Sequence, residues 1–538
     1  MELILKLTGS VMKNLLIVLS FVLFFTACTT QEEPSISVYL QADGRERGWQ
    51  VPEPLTVQEF LEGIDEEVGA LDRMQPEPWT QIYDGLRITI VRVNEEEYCE
   101  EDIEIPYREQ RVPFEGVDPG EERIAQRGEN GLERVCYRVR VEDDIRQEPV
   151  EISRTVVQDP QDQIIWVGPT GELEPVAVSG TLAYLSNNNA WVIQGNSRNK
   201  RNLTIEGDLD DRVYSLSADG RKLLFARRID VESLEGNELW LMPDITREDV
   251  QPIPLAYQNV LYAEWIPGYE NTIAYSTFRP QAVSPGWTAL NDLWRVRIDP
   301  QTGQQIDIDS LLEDFYGGPY SWWGTQFEWS PDGNRLAWVQ ADGVGLVSLD
   351  EGELGPKLLE YTELNPGVVD WSWRSSVSWS SDSSLIAATI HGPPIGNEPP
   401  ANSPVFNIAV TAVDGSFATE IINRAGIWSE PSFSPEVRNP ASQYQQGYMA
   451  YFQAREWENS ISGEYNLIIA DRDGSNARVI FPESSAQRGI TEQQMTWHPH
   501  GQEIAFIYQG NLWIIDVESE VAHQLTQDGG ASNPIWVQ

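Results

Sequence analysis

At 538 residues the chain is long enough for several domains, and 41% hydrophobic residues with 10% aromatic describe folded cores rather than a disordered chain. A formal net charge of −47 works against phosphate backbones, whose affinity comes from Lys and Arg displacing counterions, so nucleic acid is not an expected partner. The acidic excess reads as a solvated, self-repelling surface rather than a specific cation site.

In chain order, Lys13 precedes the apolar run Leu15–Phe25, which closes at Thr26-Ala27-Cys28 before the polar Thr29–Pro34. The run falls short of the ~20 residues of a membrane-spanning helix and reads as a cleaved signal, with Met12 an alternative start. Phe25-Thr26-Ala27-Cys28 resembles the bacterial lipobox, with Phe where Leu is usual. The resemblance implies a signal over 1–28, a lipid on Cys28, a linker over 29–35 and an extracytoplasmic, membrane-anchored protein at the cell surface or in the periplasm. An ordinary secretory signal or a signal anchor is the alternative. After export, Cys99 and Cys136 meet an oxidising compartment and read as a disulfide, the alternative being two separately buried thiols. No Cys-x-x-Cys is present, so neither a thiol redox site nor a zinc knuckle is expected.

Ile36–Leu40 alternates like a strand, Asp43-Gly44 turns it, Thr56 is an N-cap candidate for a helix through Leu61, and Leu86–Val93 is another strand. This order, over 36–95, resembles the small ubiquitin-like domain that precedes G5 domains in bacterial cell-wall proteins. Ile105-Pro106-Tyr107, the Gly128-Glu129-Asn130-Gly131 step, the strand Glu133–Val141 and the closing Ile164–Gly168 then resemble the G5 domain, over 96–170. Glu142-Asp143-Asp144 stands where that family has an Asn-Gly type turn, which predicts a longer hairpin. Charged residues on alternate positions leave little apolar core and predict a flat, solvent-wetted sheet. The G5 resemblance implies attachment to cell-wall polysaccharide. Zinc-mediated assembly, found in some members, is not expected, because all four histidines (His391, His498, His500, His523) lie downstream.

From Gly180 a unit of aromatic residue, Ser-Pro-Asp-Gly-like turn and apolar strand recurs at Ser215–Phe225, Trp265–Tyr275, Phe327–Trp338, Trp379–Ala387, Phe433–Phe452 and Trp497–Phe506. Third strands follow, such as Glu238–Leu241, Asp292–Val296, Tyr465–Ile469 and Asn511–Ile515. Four strands at about 50-residue spacing are the signature of a β-propeller, whose sheets bury their faces against one another. The motifs resemble the TolB-like, WD-repeat-like propellers over 176–538. Ser532–Val537 reads as an isolated innermost strand that completes a blade begun by Leu182–Leu185, Ala190–Ile193 and Asn202–Ile205. The fold class is therefore mainly β: a small α+β domain, a G5 sheet and a seven-bladed propeller, with six or eight blades the alternatives.

No Gly-x-Ser-x-Gly, His-Glu-x-x-His or phosphate-binding loop is present, so no catalytic residue, metal or cofactor is expected. Asp471–Asn476 and Val413–Ser416 read as blade turns rather than calcium loops, and His498 and His500 as turn residues. Aromatics concentrate instead in segments on the side opposite the Ser-Pro-Asp-Gly turns. Tyr320, Trp322, Trp323, Asp370, Trp371, Trp373, Arg374, Trp428, Trp287 and Trp457 form the candidate ligand-binding set, because loops on a rigid scaffold carry function. Packing between blades is the competing role for these tryptophans. The expected protein is a monomeric, non-catalytic envelope lipoprotein that binds wall glycan or an envelope protein. A propeller enzyme acting on envelope or extracellular glycans is the alternative, and buried carboxylates in the channel would favour it.

Overall fold

The computed structural model describes residues 35–114, 117, 120–168, 171, 173–231, 234–367, 371–438 and 445–538. The expected signal, Cys28 and Asp370 lie outside the described residues. No helix among these is long and apolar enough to cross a membrane. The chain divides into two compact units, one holding residues up to Arg108 and Gly128–Gln161, the other Glu109–Arg127 and Asp162–Gln538.

In the first unit, Ile36–Ala42 pairs antiparallel with Arg45–Val51 and parallel with Leu86–Val91, which pairs with Arg73–Gln75. The helix Val57–Gly63 starts where Thr56 predicts: Thr56 Oγ1 accepts from Glu59 N, and the Glu59 carboxylate accepts from Thr56 N. Val57, Phe60 and Leu61 bury its apolar face among Val38, Leu40, Ile88 and Ile90.

The second sheet of this unit is charged, as the alternation predicts. Gly131–Glu142 lies between Val93–Ile105 and Val150–Gln158, the latter exposed along its whole length. Cross-strand pairs Arg134–Glu101, Arg138–Glu97 and Arg140–Glu95 stand where apolar contacts would otherwise be. Exposed pairs of this kind contribute at most about 1 kcal/mol each. Cys99 and Cys136 face each other across the same ladder and are joined by a disulfide. Ellman titration of denatured, unreduced protein lacking Cys28 is expected to find no free thiol, and two after reduction. The longer hairpin expected at Glu142-Asp143-Asp144 is corrected. Glu142 pairs directly with Ile145, and Asp143 and Asp144 take φ of 46° and 66°, a two-residue turn of the primed kind that Asp tolerates.

In the second unit Gln163–Val167 pairs with Glu109–Pro113 and Glu122–Gln126. Phe114 stacks on Trp166 at 4.0 Å and meets Trp191 edge-on, which joins this small sheet to the propeller core.

The propeller has seven sheets of four strands, one with a fifth short strand. The innermost strands of blades 1 to 7 are Ala531–Val537, Leu209–Leu216, Val260–Trp265, Gln326–Trp329, Val377–Trp379, Ser432–Phe433 and Met495–Trp497. Each neighbouring pair of blades shares one hydrophobic core, and Leu182, Trp191 and Trp536 meet Ala505, Leu512 and Ile514 where blade 7 returns to blade 1. The C-terminal strand pairs with Ala177–Ser186, so the ring closes without a free central edge. The fourth strand of blade 1 is Lys200–Asn202 rather than the expected Asn202–Ile205, because Thr204 Oγ1 turns back to accept from Ala190 N.

The recurring turn has a side-chain logic. Ser330 Oγ donates to Asp332 Oδ1 at 2.6 Å and accepts from Arg335 N, and Ser217/Asp219 and Ser380/Asp382 repeat the arrangement. Gly333 has φ +67°, and a Cβ there would lie 1.9 Å from Pro267 O of the preceding blade, so the turn requires glycine.

Candidate functional site in the propeller channel

Aligning the innermost strands by their repeat places Ser215, Glu264, Glu328, Ser378, Ser432 and Thr496 at one position, just before the residue that ends each strand. Blades 3 and 4 therefore carry carboxylates on the same rung. Between the innermost strands lies a cavity of about 510 Å³, walled by Tyr214, Glu328, Trp329, Trp379, Glu430 and Gln494 among others, with no Lys, Arg or His among the described residues that line it.

The Glu328 carboxylate accepts no hydrogen bond from the described residues, and the Glu328 backbone oxygen accepts from Trp379 Nε1 at 3.1 Å. The side chain is half-buried, and the protein packed around it crowds the carboxyl group. Burial pushes the Glu328 carboxyl well above its ordinary range, and the neighbouring Glu264 charge pushes it further. Burial also raises Glu264 to about 7, against the Tyr262 hydroxyl that donates to it at 2.8 Å. Glu430 is raised to about 7 by burial, opposed by the Ser376 hydroxyl. Two enclosed like charges in adjacent blades resist ionising together, so this channel can hold a proton, bind a cation or supply an acid beside a carboxylate. Sequence reading missed all three glutamates. The available signal was Glu before Trp in Glu264-Trp265 and Glu328-Trp329, an acid where blades 2, 5, 6 and 7 place Ser or Thr.

The segments leading into the innermost strands carry the expected aromatics, with a different exposure. Trp323 and Trp373 are buried at 7% and 2%, which corrects their assignment as ligand-facing rings. Trp323 meets Trp287 edge-on at 5.2 Å, and Trp373 packs on Tyr361 and Phe406 in the core between blades 4 and 5. Trp322 is 38% exposed and contacts Tyr320, while Trp371 and Trp428 meet at 6.2 Å and remain half-buried. Trp287 lies beneath the Arg212 guanidinium, and Trp457 beneath that of Arg424. Arg374 donates to Gly324 O at 3.0 Å and has no carboxylate partner among the described residues; burial lowers its pKa to about 10.

One other pairing resembles catalytic chemistry and fails on geometry. Ser179 Oγ lies 2.7 Å from His498 Nε2, but His498 Nδ1 accepts from His500 N at 3.0 Å. In the neutral ring the proton then sits on Nε2, so His498 donates to the serine and cannot take its proton. Among the described residues no group of three or more His, Cys, Asp or Glu could hold a metal ion.

Residues 96–170 match the model of the G5 domain, and residues 441–537 match that of the dipeptidyl peptidase IV N-terminal region. No curated protein matches the chain. Among solved structures, the G5 domain of an IgA1 protease is 17% identical, covering 15% of this chain and 94% of its own, with a TM-score of 0.12. The periplasmic gluconolactonase of Pseudomonas aeruginosa is 10% identical over 67% of this chain and 99% of its own, with a TM-score of 0.39. An acylaminoacyl peptidase of Pyrococcus horikoshii is 11% identical over 80% of this chain and 53% of its own, with a TM-score of 0.33. The propeller assignment rests on the sheet order and the seven shared cores described above.

Proposed function

We propose that this protein is an extracytoplasmic envelope protein, anchored through a lipid on Cys28, that binds cell-wall glycan through its G5 domain and the rim of its propeller. The observation that carries the reading is the rim itself. Tyr320 and Trp322 offer an aromatic pair beside blade 4, Trp371 and Trp428 a second across blades 5 and 6, and Arg374 a guanidinium with no carboxylate partner among the described residues. Flat rings stack on sugar faces at low entropic cost, and a guanidinium suits sugar hydroxyls or a sugar acid. The G5 match at 96–170 supports the same ligand class.

The test is binding of purified wall polysaccharide by the full chain and by Trp322→Ala with Trp371→Ala. The double variant is expected to bind at least tenfold more weakly at an unchanged melting temperature, since exposed hot-spot aromatics contribute about 2 kcal/mol or more. A melting temperature that falls with the affinity would make these rings packing residues and end the rim reading.

A second reading, cleavage of an envelope glycan, is favoured by Glu264 and Glu328, because glycoside hydrolysis uses one carboxylic acid and one carboxylate. Release of reducing ends from wall glycan that Glu328→Gln abolishes would establish it.

A further inference from the structure

We infer that the propeller channel is a binding site for an organic ammonium group, held at the Glu328 carboxylate with Glu264 behind it and Tyr214, Trp329 and Trp379 in the surrounding wall. This inference stands apart from glycan binding at the rim, because it rests on the innermost strands alone.

Charge favours a cationic ligand. Glu264 and Glu328 occupy the same rung of adjacent blades, and no Lys, Arg or His is among the described residues that line the cavity. Arg374 and Arg212 are engaged elsewhere. Arg374 is directed to Gly324 O, and Arg212 lies beside Asp210 and over the Trp287 ring. A pair of enclosed carboxyl groups without a protein counter-charge takes its positive charge from a proton or a ligand. Glu328, whose carboxylate has no hydrogen-bond donor among the described residues, is the group left free to receive an N–H.

Donor number and cavity size set the kind of cation. A bare metal ion needs several converging oxygens, and among the described residues no cluster of three acids or imidazoles provides them. The cavity, about 510 Å³, is much larger than an ion, and its wall includes Trp329, Trp379, Tyr214 and Met495. A cavity of that size beside a carboxylate suits an ammonium carried on carbon, which ion-pairs with the carboxylate and fills space that a bare ion would leave.

Proton and ammonium then compete for one place. The titratable groups around Glu328 are Glu264 and Tyr262 from blade 3, with Tyr214 and Glu430 on the cavity wall. Acidification fills the carboxyl pair with protons and removes the ligand's partner.

Isothermal titration of the full chain with 1,4-diaminobutane tests this, with 1,4-butanediol as the uncharged isostere and calcium chloride as the metal arm. At pH 8 the diamine is expected to bind and the diol not. Affinity should fall at least tenfold at pH 5.5, and at least tenfold at pH 8 in Glu328→Gln, whose melting temperature confirms folding. Glu264→Gln serves as the second variant if the first does not fold. The rim variant Trp322→Ala with Trp371→Ala should keep its diamine affinity, so a failed glycan reading leaves this result standing. No diamine binding at pH 8, equal binding of the diol, displacement by calcium at lower concentration, or full affinity in Glu328→Gln would each overturn the inference. Loss of glycan cleavage in Glu328→Gln would also overturn it, by making the pair catalytic.

Discussion

Trp329→Ala is expected to lower the unfolding free energy of the propeller by about 3–5 kcal/mol, the usual cost of emptying an aromatic side chain from a core. Trp329 is 5% exposed and lies in the core shared by blades 3 and 4, against Ile266, Ala274, Phe327, Leu336 and Trp338. Its loss opens a void in the core through which the two sheets adhere along that seam. The damage falls on the ring as a whole, because each blade is stabilised only by its neighbours. Urea unfolding followed by tryptophan fluorescence measures the change. Trp322→Ala, at the 38% exposed rim position, is the comparison and should cost less than about 1 kcal/mol. Equal losses at the two positions would contradict the seam described here.

The combined variant Glu264→Gln, Glu328→Gln, Glu430→Gln is expected to be more stable than the parent at pH 8, by on the order of 3 kcal/mol in total. The sign follows from proton binding. All three carboxyl groups have folded-state values above the unfolded ones, so between about 4.5 and 7 the folded chain binds more protons than the unfolded chain. Their favourable contribution is full below the unfolded value and is lost as pH rises through the folded one. Glutamine does not titrate, so the difference between variant and parent should grow from near pH 4.5 to pH 7. It should continue upward beyond that through Glu328, which burial raises well above the ordinary carboxylate range. Taking the difference cancels the surface carboxylates, such as Asp332 at about 2, which favour folding in the opposite pH sense. Parallel urea titrations at pH 5, 6, 7 and 8 read the slope, and a flat difference would place these acids in free contact with bulk water.

Turn chemistry made the propeller legible. Ser330, Asp332 and Gly333 are constrained by local hydrogen bonds and a positive φ, so their spacing reports the hairpin before any tertiary contact is known. The lone strand near Ser532–Val537 was legible because it had no local partner and blade 1 lacked an innermost strand. The site was harder to see. Trp322 and Trp323 are adjacent, yet one is exposed and the other buried, and Trp371 and Trp373 differ in the same sense. Composition alone cannot distinguish a ring that packs from a ring that binds when both lie in irregular segments. Glu264 and Glu328 are more than sixty positions apart and become neighbours only once the ring is drawn with its register. Residue type marked them as surface acids, while the channel makes them enclosed ones.

The chain passes between its two units three times, after Arg108, Arg127 and Gln161. This routing has a consequence for proteolysis. A cut after Arg108 or Arg127 falls between Cys99 and Cys136, so the disulfide still ties the fragments together. A cut after Gln161 leaves Glu109–Pro113 and Glu122–Gln126 on the N-terminal fragment, where both remain paired to Gln163–Val167 of the other. Where a single flexible tether would release the propeller at its first nick, here no one cleavage among the three crossings suffices.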